Sequence, residues 1–163
     1  MDKTTPRIES VTAKEQGIVH ILWRDGRTDV IDLSGWIATG GETLAAITEP
    51  SVFQRAAVGD YGASIEWDDG DLAIDAAHLE ALAQEQRPFR ADDMVEWQAK
   101  AGLSNQEAAQ FLGVATSTWH TYKTGSPIPV AVAMACRATL RDPIMLQAHF
   151  RPRKPGRPRT LSQ

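Results

Sequence analysis

The sequence predicts an α+β protein: a small N-terminal antiparallel β-meander domain with short helices, followed by an all-α domain. Three observations carry this. Apolar and polar residues alternate at period two between Arg7 and Leu33, whereas from Arg90 onward apolar residues recur at helical spacing. Asp-Gly pairs punctuate the first half in the manner of hairpin turns. The formal net charge of −4 over 163 residues conceals a division. Residues 1–85 carry 6 Lys/Arg and 16 Asp/Glu, a balance of −10, and residues 86–163 carry 11 and 5, a balance of +6. Composition and charge change together near Gln86 to Phe89, which sets expected boundaries at 1–86 for the acidic domain, 87–150 for the helical domain and 151–163 for a basic, disordered tail.

In the first half, Ile8 to Val11, Ile18 to Trp23 and Thr28 to Leu33 read as three strands. Arg24-Asp25-Gly26-Arg27 makes the hairpin between the second and third, and Gly17 a weaker turn before the second. Trp36, Ile37, Leu44 and Ile47, separated by Gly40-Gly41, suggest a short helical turn and a loop. Pro50 to Ala56 places proline at the first position of a short helix. Ala57-Val58 and Ser64 to Trp67 read as strands, followed by the acidic turn Asp68-Asp69-Gly70-Asp71. Asp75 caps a helix carrying Ala76, Leu79, Leu82 and Ala83.

In the second half, Asp92 is the expected cap of a helix bearing Met94, Val95, Trp97 and Ala101 and ended by Gly102. Ser104 caps the next helix, with Glu107 completing a capping box and Ala108, Ala109 and Leu112 as its inward stripe. Gly113 ends that helix in a left-handed conformation and Val114 plugs the turn. A following helix runs from Ala115 or Thr116 to Thr124, with Trp119 and Tyr122 inward and Gly125 stopping it. Thr116, Ser117, His120, Thr121 and Lys123 then face out. This set is short, polar, rich in donors and free of acidic residues, although the chain as a whole has more acids than bases. Pro127 and Pro129 break the chain, Val130 to Leu140 reads as a longer apolar helix, and Asp142-Pro143 opens a last helix to Phe150.

The run LSNQEAAQFLGVATSTWHTYKTG, Leu103 to Gly125, resembles the lambda-repressor-like (Cro/C1-type) helix-turn-helix family, the match extending over roughly Phe89 to Leu140, about a third of the chain. The resemblance implies that Asn105 contacts the DNA backbone and that Thr116, Ser117 and His120 face the major groove; Thr121, outward beside them, is a further expected DNA contact and Lys123 an expected phosphate contact. Two residues depart from the family pattern. Ala115 stands where Ser or Thr usually caps the recognition helix, a cap worth about 1 kcal/mol, and Trp119 replaces an Ile or Val, which implies a re-packed core and an altered helix angle. An αα-corner that binds another protein is the alternative. Residues ~5 to 80, with VGDYGASIEWDDGDLAID, resemble a family of small bacterial α+β domains of unknown function, which implies a fold and little chemistry. In the tail, Lys154-Pro155-Gly156-Arg157-Pro158-Arg159 resembles an AT-hook, in which Arg157 would enter the narrow minor groove of A/T-rich DNA; a solubilising or nonspecific tail is the alternative.

Other functions find little support in the residues. Asp68, Asp69, Asp71 and Asp75 lack the later bidentate Glu of an EF-hand, and Asp/Gly turns occur for backbone reasons alone, so no metal is expected. His20 and His78 have no Cys, Ser or paired carboxylates in a catalytic pattern, and no phosphate-binding glycine loop or nucleophile elbow occurs; no enzyme activity and no cofactor are expected. Cys136 is the only cysteine, which excludes an intrachain disulfide and reads as a small buried hydrophobe. No apolar run approaches the ~20 residues needed to cross a bilayer, and MDKTTPRIES lacks the apolar stretch of a signal peptide, so a cytoplasmic location without membrane contact is expected. These readings converge on a sequence-specific regulator that binds double-stranded DNA as a homodimer, since one such domain reads few base pairs. The acidic domain would supply the dimer interface, sense a ligand or hold a protein partner. The alternative is an antitoxin-like or adaptor protein whose main partner is a second protein bound by that domain.

Overall fold

Alternation along the strands decides which side chains form the first core. The computed structural model describes residues 4–152. Strands β1 (Ile8–Glu15), β2 (Ile18–Trp23) and β3 (Thr28–Asp32) form an antiparallel sheet in that order. Val19, Ile21, Trp23 and Ile31 are buried on one face while His20, Leu22 and Val30 lie exposed on the other. In the β2–β3 hairpin the Arg27 N–H and guanidinium both donate to Asp25, at 3.0 and 2.7 Å, and hold its carboxyl below the usual range. β1 continues past Val11 to Glu15: a register shift between Thr12 and Glu15 lets it keep pairing with β2. That irregularity interrupts the alternation that marks a strand in sequence.

The second antiparallel sheet is β4 (Ala57–Val58), β5 (Ser64–Trp67) and β6 (Leu72–Asp75), burying Ile65, Trp67 and Ile74. Two helices lie between the sheets in the chain, α1 (Ser34–Thr39) and α2 (Pro50–Phe53). The loop expected after Gly41 is instead a 3-10 helix, Gly41–Thr48. Leu44 and Ile47, three apart, fall on one face of a three-residue turn and are both buried. α3 (Ala76–Gln86) starts where the Asp75 carboxylate accepts the His78 N–H at 2.8 Å. The buried indoles find acceptors: Trp23 donates to Asp29 at 2.7 Å and Trp67 to the Phe53 carbonyl at 2.9 Å. Asp68 and Asp69 sit in the left-handed region, at φ 52 and 54. Among the described residues no cluster of three or more His, Cys, Asp or Glu side chains is arranged to hold a metal.

The chain divides into two units, Met1–Arg87 and Pro88–Gln163. The second holds α4 (Ala91–Ala101), α5 (Asn105–Leu112), α6 (Thr116–Lys123), α7 (Val130–Arg141) and α8 (Pro143–His149). Its first helix is capped at Arg90, two positions before the expected Asp92, and Asp93 in the first turn accepts the Arg90 N–H at 2.7 Å. Val95, expected on the inward stripe, is 46% exposed, because Met94, Trp97 and Ala101 at i, i+3 and i+7 already define that stripe and Val95 is turned about 100° from Met94. The core gathers Met94, Trp97, Leu103, Ala108, Ala109, Trp119, Tyr122 and Cys136. Trp97 meets Trp119 edge-on at 6.0 Å and donates to Thr139 at 2.8 Å, and the Thr139 hydroxyl in turn donates to the Cys136 carbonyl at 2.9 Å. Asp142 caps α8 through the Ile144 N–H at 3.0 Å. Val130, Met134, Leu140, Ile144 and Met145 leave apolar surface exposed along α7 and α8. No helix among the described residues is long and apolar enough to cross a membrane.

Candidate nucleic-acid interface

Local chemistry fixes both ends of α5. The Ser104 hydroxyl accepts the Glu107 N–H at 3.2 Å while the Glu107 carboxylate accepts the Ser104 N–H at 2.9 Å. At the other end Gly113 takes φ 70, and the Val114 N–H returns to the Ala109 carbonyl at 3.0 Å. The chain therefore turns sharply and starts α6 at Thr116. Ala108 and Ala109 are buried at 0% and 2%, so α5 presents little more than backbone and methyl groups to its neighbours. Ala115 at the N-cap offers no side-chain acceptor to the first turn of α6.

Trp119 and Tyr122 turn α6 inward, with 0% and 8% exposure. Their spacing sends Thr116, Ser117, His120 and Thr121, at i, i+1, i+4 and i+5, to one exposed face. Among the described residues the side chains of Thr116, Ser117 and His120 have no hydrogen-bond partner, and Thr121 donates back to the Thr118 carbonyl at 2.7 Å. No acidic residue lies in α6. A row of small donors and acceptors without a carboxylate suits base edges and phosphate oxygens.

Asn105 and Lys123 lie together, half-buried at the crossing of the helices. The Asn105 Oδ1 accepts three hydrogen bonds: from Gln98 Nε2 at 2.9 Å, Trp119 Nε1 at 3.0 Å and Lys123 Nζ at 3.1 Å. The Lys123 ammonium also donates to Gln98 Oε1 at 2.8 Å and stands 5.7 Å from the Trp119 ring centre. Gln98 completes the cluster by donating to the Leu103 carbonyl at 3.1 Å. No carboxylate pairs with Lys123 among the described residues. Gln98 was not legible as a site residue from the sequence. The available signal was Trp119, whose buried indole N–H needs an acceptor that an aliphatic side chain would not. Arg157 lies outside the described residues.

No known protein family matches the chain, and no curated protein matches it either. A crystal structure named "Putative DNA Binding Protein" from Nitrosomonas europaea is similar at 24% identity and a TM-score of 0.47, over 97% of this chain and 96% of that one.

Proposed function

We propose that the chain is a sequence-specific DNA-binding transcription regulator, in which α5, the Gly113 turn and α6 act as a lambda-repressor-like helix-turn-helix. The observation that carries this reading is the acid-free exposed face of α6, flanked by an ammonium whose partners are all neutral. In it Thr116, Ser117, His120 and Thr121 read base edges, and Asn105 and Lys123 hold backbone phosphates. Asn105 would do so through its amide N–H groups, because three donors already occupy its oxygen. The reading includes a homodimer on a two-fold site, the Arg157 segment as a minor-groove or phosphate contact, and no catalytic role.

Selection from a random duplex pool tests it. A palindromic site should be enriched, and replacing Thr116 and His120 together by Ala should flatten that preference by about 1 to 3 kcal/mol for each base that is no longer read. No enrichment, together with a co-purifying protein, would favour the adaptor reading instead.

A further inference from the structure

We infer that Gln98, on α4, is a positioning residue that holds Lys123 and Asn105 as one preorganised phosphate clamp, and that it must be neutral to do so. The inference rests on the helix-turn-helix reading and deepens it by assigning a residue outside α5 and α6.

The polarity of the cluster leaves one arrangement. Three donors converge on Asn105 Oδ1, so exchanging its oxygen and nitrogen would set an NH2 group against a lysine, an indole and an amide. Gln98 is fixed likewise, because its Nε2 faces two acceptors, the Leu103 carbonyl and Asn105 Oδ1, while its Oε1 faces the ammonium. The Asn105 Nδ2 is thereby turned away from the cluster, and no acceptor bonds it among the described residues. Of the three Lys123 protons, two are held internally and one remains.

What stays unsatisfied is therefore an ammonium proton and an amide NH2, one side-chain amide apart, beside a positive charge with only neutral acceptors. That donor set matches a phosphate oxygen. A lysine on a free stem would lose considerable rotamer entropy when it bound; here the two acceptors fix its end beforehand. A carboxylate at position 98 would neutralise the ammonium, and its second oxygen would stand against the Leu103 carbonyl and Asn105 Oδ1, the two acceptors that Nε2 now satisfies. Gln98 thus acts through Lys123 and Asn105 without itself touching DNA.

The test measures binding of the full chain to a mixed-sequence DNA duplex over a range of salt concentrations, with thermal unfolding as the check on fold. Gln98→Glu should lower the logarithmic salt slope by about 0.9, the amount expected when one phosphate is no longer neutralised, and Lys123→Met should lower it equally. The loss of affinity between about 50 and 200 mM salt then shrinks by about 3.5-fold. Ala99→Glu, which adds the same charge at an exposed position on the same helix, should leave the slope near that of the unaltered chain. Gln98→Ala frees the ammonium without neutralising it, so it should weaken binding several-fold at unchanged slope. A Gln98→Glu protein that keeps the full slope, or a Gln98→Ala protein that binds with full affinity, overturns the inference alone. An unaltered chain that binds no duplex at any salt removes the helix-turn-helix reading beneath it, which is a different result.

Discussion

Single side chains in this protein are placed by the polar atoms they carry as much as by their bulk. Four tryptophans are almost fully buried, and each indole N–H has its own acceptor: a carboxylate for Trp23, a carbonyl for Trp67, a hydroxyl for Trp97 and an amide oxygen for Trp119. Cys136 illustrates the opposite case, a group buried in its neutral form whose thiol faces the Met94 sulfur at 3.9 Å. Burial pushes that thiol up to about 12 from an ordinary 9.0. The unfolded chain therefore releases the proton first as pH rises, and the folded state loses stability over the interval between those values. The contribution is complete below pH 9.0 and is gone once pH passes about 12, a loss of up to about 4 kcal/mol at roughly 1.36 kcal/mol for each pH unit of that interval. Cys136→Ala should remove this alkaline limb from the stability profile, measured by denaturant unfolding at a series of pH values against the unaltered chain. A native thiol that reacts with a maleimide at pH 8 as fast as the unfolded chain would contradict the burial.

At the scale of elements, the sequence was readable wherever one local rule acted alone. The Asp25-Gly26 hairpin, the Asp75 and Ser104 caps and the Gly113 turn all sit where their side chains or backbone freedom require. Reading failed where two rules competed. β1 hides its second half behind a register shift, Leu44 and Ile47 follow a three-residue period, and α4 had two adjacent aspartates to choose between. The Gln98 cluster was invisible for a further reason: it joins three helices through side-chain amides that leave no periodic trace. Gly62, between β4 and β5, shows what a non-local constraint does to one position. It lies at φ 71, and a Cβ there would stand 2.3 Å from the Ile8 carbonyl oxygen on β1. Gly62→Ala should cost more than the roughly 1 to 2 kcal/mol of left-handed strain, since backbone cannot swing aside as a side chain would. Gly26→Ala, at φ 87 with nothing within 4 Å, should cost only the strain. Equal melting temperatures for the two variants would show that β1 yields freely at Ile8.

For the whole molecule, positive charge is concentrated in one short stretch of the second half. Residues 88–150 carry 5 Lys/Arg and 5 Asp/Glu, so the positive excess of residues 88–163 resides in the five bases of Arg151–Arg159. A duplex would then meet a helical unit of balanced charge in which the Lys123 ammonium has only neutral partners among the described residues, joined to a short run of high positive charge. Under the proposed reading the helical unit chooses the site and the basic run supplies most of the sequence-independent attraction. Removing residues 151–163 tests this division. If all five charges neutralise phosphates, the logarithmic salt slope should shrink by up to about 4.5, and by about 2 to 4 if some remain in solvent. The truncated chain should still prefer the site enriched by the full chain, because Thr116, Ser117, His120 and Thr121 are intact. Competition binding at several salt concentrations reads slope and preference together. If the truncation abolishes preference while the Thr116/His120 double variant keeps it, the basic run is the reader and α6 only its scaffold, and the assignment of base contacts to α6 fails.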